Sequence, residues 1–211
     1  VPLNPNLLRI AVAKQAEKTL VKEIRPLVKL DFEEKKKQFF EAFDSDPVSQ
    51  EIAAGPDAFS NVSELAEVGG NLFTFLGFLK SQSPIAGLRG YLQDNIVLYK
   101  TKAGKVSGNK IVFETQFVSP TEAEINSVMA KSSDTKLHWG SNRSFTDILA
   151  KGVPGLPRFL TDKFPSPEPS RSGGGIQVTN ELRKGSSEKT PKIPYIKNLL
   201  GVLNRIVRRK R

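Results

Sequence analysis

Apolar residues return every three or four positions in the first thirty residues. Leu8, Val12, Ala16, Leu20, Ile24 and Leu27 share one helical face, and Lys14, Glu17, Lys18, Lys22 and Glu23 supply polar surface. Pro26 has no amide proton and its ring crowds the preceding turn, so this pattern predicts a helix over 5–30 that ends or kinks near Arg25. A second helix is expected from Asp31, capped there with Glu34 three residues on, and presenting Phe32, Phe39, Phe40 and Phe43. Asp46 as cap, Pro47 as first residue, Gly55 as stop and Pro56 after it punctuate a third, short helix.

Residues 56–71 read as loop. Leu72-Phe73-Thr74-Phe75-Leu76-Gly77-Phe78-Leu79 follows, apolar nearly all round, which predicts burial in the core or in a subunit interface. Ser83-Pro84 opens a helix to about Gln93. Ile96–Thr101 and Lys110–Val118 read as two strands joined by residues 102–109; Ile111, Phe113, Thr115 and Phe117 alternate with Glu114 and Gln116. Ser119-Pro120-Thr121-Glu122 reads as a capping box, with Ile125, Val128 and Met129 on the inner face of the helix it starts. Phe145, Ile148 and Leu149 mark another helix over 144–152.

After Leu160 the pattern changes. Pro165, Pro167, Pro169 and the run Ser170-Arg171-Ser172-Gly173-Gly174-Gly175 cannot form a packed layer, and 181–192 is polar linker. Pro194 then opens a terminal helix whose Ile196, Leu199, Leu200, Leu203, Ile206 and Val207 share one face, with Arg208, Arg209, Lys210 and Arg211 at its end, where the helix dipole favours cations. The expected fold is α+β: a small antiparallel β-sheet with packed helices in a globular domain over 1–160, an extended Pro/Ser/Gly-rich linker over 161–192, and a basic amphipathic helix over 193–211.

Charge sharpens this division. The net charge of the 211 residues is +10, yet 1–162 is nearly neutral; from Lys192 onward seven cations stand without one acid. The chain has no cysteine, which removes disulfides, thiolate nucleophiles and cysteine-type zinc sites. No run approaches the roughly 18 apolar residues that span a membrane, and Val1-Pro2-Leu3-Asn4 is not expected to begin a signal peptide.

Candidate chemistry is sparse. His138 is the only histidine, so one chain cannot build a two- or three-histidine zinc site, and no Gly-x-Ser-x-Gly elbow exists; beside Trp139 it is expected in a packed turn. Asp44, Asp46, Glu122 and Glu124 are the acids placed for acid–base work, but helix-start roles account for Asp46 and Glu122. Gly104-Lys105-Val106-Ser107-Gly108-Asn109-Lys110 lacks the ending of a phosphate loop and joins two strands, so it reads as a hairpin connection. No catalytic residue, metal site or cofactor is expected. The terminal helix has four readings: a groove on a neighbouring subunit, its own core, an anionic membrane, or nucleic-acid phosphates. The long tether favours the neighbour, which makes Ile196, Leu199, Leu200, Leu203, Ile206 and Val207 the candidate partner-binding face. Arg208, Arg209, Lys210 and Arg211 are the candidate nucleic-acid contacts.

Ser83-Pro84-Ile85-Ala86-Gly87-Leu88-Arg89, followed by a hairpin and a helix, resembles the tail-completion (neck) proteins of long-tailed bacteriophages. Their usual pattern has one residue between the glycine and Leu-Arg; here Leu88 follows Gly87 directly. Ser144-Phe145 through Gly152-Val153-Pro154-Gly155, Ser170 through Gln177 and the Tyr195-Ile196 helix are similar to such virion proteins, so the resemblance covers about 72–207. It implies a structural subunit of the virion that forms a homo-oligomeric ring at the head–tail junction, with neighbouring neck or tail proteins as partners, no membrane and no catalysis. The alternative is a nucleic-acid-binding component of a ribonucleoprotein or DNA complex that uses the basic arm.

Overall fold

A computed structural model describes residues 5–60, 71–107, 110–137, 143–151 and 192–208. The Pro/Ser/Gly linker, His138, Trp139, Gly152–Gly155 and Arg209–Arg211 lie outside these residues, as do the expectations attached to them.

The helix does not end at Pro26. One helix, α1, runs from Pro5 to Asp44 with Pro26 inside it, ~60 Å at 1.5 Å per residue. Asp31 is therefore no cap; it sits mid-helix, its carboxylate 2.8 Å from Lys35 Nζ one turn on. A proline removes one hydrogen bond from a helix, but residues 27–31 hold no glycine or asparagine to end one, and Phe32, Phe39, Phe40 and Phe43 anchor the later half in the core. Burial of each such ring contributes ~1.5–3 kcal/mol, enough to hold the second half, while residues 19–30 contain no buried residue. Leu27, on the apolar face that the periodicity marks, is 64% exposed, and Leu30 is 67% exposed.

Helix α2 (Pro47–Ala54) has the expected punctuation: Asp46 accepts from the Val48 and Ser49 amides, and Gly55 ends it at φ 81°. A 3-10 turn follows at Gly55–Asp57. The apolar run forms α3 (Leu72–Leu76), capped by Asn71 and closed by Gly77 in the left-handed region at φ 72°. Leu72, Phe73, Phe75, Leu76 and Phe78 are all buried, so the run fills the core. Helix α4 (Pro84–Asn95) starts where Ser83-Pro84 predicts.

Strands β1 (Val97–Ser107) and β2 (Lys110–Val118) form a two-stranded antiparallel sheet. The first is longer than its apolar residues suggest: Ser107 pairs with Lys110, which leaves only 108–109 as connection and makes the glycine-rich stretch a hairpin. Leu98 pairs with Phe117 on the side packed to the core, and Val97 pairs with Val118 on the exposed side. Helix α5 (Glu122–Met129) is capped two residues later than the sequence pattern indicates, by a reciprocal Thr121–Glu124 box. Helix α6 (Phe145–Lys151) and α7 (Tyr195–Arg208) complete an α+β fold in which a small antiparallel sheet carries packed helices.

Candidate functional site

The terminal helix lies in the core of its own chain. Tyr195, Ile196, Leu199 and Leu203 are at most 3% exposed, and Leu200, Ile206 and Val207 pack partly buried beside them. The groove that receives them is built by α1 and α6. Ile193 N–H donates to Leu149 O at 2.7 Å, which sets the approach of the helix, and Lys35 Nζ donates to Val207 O at its far end, where the dipole is negative. The neighbour's groove expected for this apolar face is thus replaced by an internal one. The linker composition says how far the helix can travel, whereas the surface complementary to it is fixed only by the fold. Arg208 is exposed at the helix end.

The Tyr195 hydroxyl is 2.6 Å from Ser49 Oγ, and both are buried. Burial pushes the Tyr195 pKa well above the usual tyrosine range; Ser49 opposes this, and the nearby Asp46 and Asp44 carboxylates add to it. This tyrosine is a packing group with a satisfied polar tip, and a raised pKa keeps it from serving as a base.

The remaining buried polar groups hold loops. Glu51, 2% exposed, accepts from the Leu72 amide at 2.6 Å and so closes the start of α3. Asn71 Nδ2 donates to Gly55 O, Pro56 O and Ala58 O. Gln82 accepts from Leu79 N–H and donates to Ser133 O and Lys136 O. Each of these side chains satisfies backbone groups that have no helix or strand partner where the chain turns. Neither Glu51 nor these amides was singled out in the sequence; a lone acid within an apolar helix face was the available signal.

The four acids singled out for chemistry have local uses. Asp44 pairs with Arg89 through two contacts, Nε to Oδ1 at 2.9 Å and Nη2 to Oδ2 at 3.2 Å, while the guanidinium lies 4.8 Å from the centre of the Phe40 ring. Asp46 caps α2 and Glu124 closes the Thr121 box. Hydrogen bonds from the Thr121 backbone and hydroxyl hold the Glu124 carboxyl below its ordinary pKa. Glu122 is an exposed first-turn residue. Among the described residues no three His, Asp or Glu side chains gather as a metal site would need, and no helix is long and apolar enough to cross a membrane.

One cleft of about 410 Å³ opens between the 3-10 turn and the start of α4, lined among others by Ile52, Phe73, Pro84, Ile85, Asp57 and Lys80. It contains no paired acid and base. Large apolar residues are exposed elsewhere, among them Leu27 and Leu30 on α1, Phe59 after the 3-10 turn, and Tyr99, Val97 and Val118 on the hairpin. Comparison with protein-family models, with curated proteins and with solved structures found no match.

Proposed function

We propose that the chain is a non-catalytic structural subunit that joins copies of itself within a larger assembly. The observation that carries this is α1. From Phe32 onward it is embedded in a filled core, while its residues 19–30 contain no buried residue and leave Leu27 and Leu30 uncovered. Residues three apart on a helix meet the same partner, and exposed leucines beside partly buried Leu20 and Ile24 give a strip suited to a second α1. A helix this long costs conformational entropy that local contacts do not offset over residues 19–30, which a neighbouring copy would supply. The resemblance of 72–207 to phage neck proteins extends this reading to a ring subunit at a virion's head–tail junction, with neck or tail proteins as its other partners.

Light scattering on the purified full chain tests it. The expected result is a closed oligomer of fixed size at micromolar concentration, and a monomer when Leu27→Glu and Leu30→Glu are combined. A wild-type chain that stays monomeric up to millimolar concentration would sink the proposal.

A further inference from the structure

The continuity of α1 through Pro26 has a second effect, on charge. At ~100° per residue, Lys14, Lys18, Lys22, Arg25 and Lys29 fall within an arc of ~80°. Lys29 lines up with the other four only because the helix continues past Pro26. Within 14–29 the arc carries no acid: Glu17 and Glu23 lie on other sides of the helix. Lys22, Arg25 and Lys29 are exposed, and none of them forms an ion pair among the described residues. The near-neutral sum of the body thus conceals a row of basic positions on one side of the helix.

We propose that this row is a binding surface for the phosphate backbone of a nucleic-acid duplex. From Lys14 to Lys29 the row runs ~22 Å at 1.5 Å per residue. Over that distance one strand of a duplex presents about six phosphates at ~3.4 Å each, close to the number of cations in the row. Like charges one turn apart repel and weaken a helix on its own, and a polyanion laid along the row removes that repulsion.

Other polyanions fit less well. A protein interface takes its binding strength from buried aromatic and aliphatic anchors, and between Lys14 and Lys29 this arc has none at its centre. A helix lying on an anionic membrane carries its cations beside the apolar strip, near the headgroups. Here the exposed Leu27 and Leu30 lie on the far side of the helix from the row, so insertion by that strip would turn the cations away from the lipid. The row also differs in position from Arg208–Arg211, the cations that the sequence alone marks for this role.

The test is binding of the full chain to a mixed-sequence DNA duplex of about two helical turns, measured by fluorescence anisotropy across salt. Five neutralised phosphates give a slope of log K against log salt of about −4.5, a roughly 500-fold loss for a fourfold rise in salt. The combined variant Lys22→Gln/Arg25→Gln/Lys29→Gln should bind with a slope of about −2, losing only about tenfold over the same range. All three side chains are exposed, and an unchanged thermal transition will show that the variant is folded. Absence of duplex binding by the wild type at low salt would overturn the proposal. So would a variant with the wild-type slope, with the loss appearing instead when Arg208–Arg211 are neutralised. Tighter binding to vesicles of phosphatidylglycerol and phosphatidylcholine, or to polyglutamate, than to the duplex would equally overturn it.

Discussion

Tyr195 and Ser49, 146 residues apart, share a buried hydrogen bond of 2.6 Å that ties the terminal helix to α2. The bond spans the long segment 152–191, so the last helix closes the core that the first 151 residues begin. Removing residues 193–211 uncovers the groove between α1 and α6 and is expected to abolish cooperative thermal unfolding. The finer change Tyr195→Phe leaves Ser49 Oγ buried without its partner and should cost ~1–3 kcal/mol. Chemical denaturation of the two variants beside the wild type measures both.

The same tyrosine gives a pH dependence. Its pKa is raised in the fold, so below the unfolded value of ~10 it is neutral in both states and its contribution is complete. Above ~10 the unfolded state releases the proton first, and stability falls until the raised folded value is passed. The wild type should therefore lose thermal stability more steeply above pH ~10 than Tyr195→Phe, in paired melts.

Much of this fold is legible in the residues. Asp46-Pro47 with Gly55 marks α2, Ser83-Pro84 marks α4, and the alternation from Lys110 to Val118 marks β2, because caps, turns and period-two patterns act over a few residues. Pro26 misleads because a proline signal is local, whereas the helix is held by Phe32–Phe43 further along. That local signal also shortens the cation row, since Lys29 joins Lys14, Lys18, Lys22 and Arg25 only in a helix that continues past Pro26. The docking of α7 was not legible for a different reason. An amphipathic face states that it needs a cover without stating which surface provides it, although Tyr195 at its start signals a need for a buried polar partner.

Glu51 is the acid whose removal should be felt most. Its carboxylate oxygen is the partner of the Leu72 amide at the start of α3, inside the core. Glu51→Ala leaves that amide buried and unpaired, at ~1–3 kcal/mol. Glu51→Gln keeps an acceptor of the same reach and should recover a large part of the loss. Equal destabilisation by both would show that the hydrogen bond to Leu72 is not what the side chain contributes.

At α5 the expected effect is local. Glu124 is held ionised by the Thr121 backbone and hydroxyl, so its pKa lies below the ordinary glutamate value. Its contribution is present above that ordinary value and is lost as pH falls through the lowered folded one. An NMR titration of the Glu124 carboxyl should give a low midpoint that moves up in Thr121→Ala, as the hydroxyl bond disappears. A midpoint unmoved by that substitution would leave the backbone bond as the sole cause.

Pro26 offers the opposite kind of variant, one expected to stabilise. It lies inside α1 with its side chain exposed, and it denies the Lys22 carbonyl its helical partner. Alanine restores the missing donor and has the highest helix propensity, a local gain of up to ~3 kcal/mol. The gain should be confined to the first half of the helix, because no residue in 19–30 is buried and the core is anchored from Phe32 onward. Pro26→Ala is therefore expected to slow amide exchange over residues 15–30 in the isolated chain while moving the thermal midpoint of the core by no more than a degree or two, since local and global opening are separate events there. If the midpoint instead rises in step with the exchange protection, the two halves of α1 unfold as one unit and the first half is part of the cooperative core. That result would also remove the reason for seeking a second copy to cover Leu27 and Leu30, since the isolated chain would already hold the segment in place.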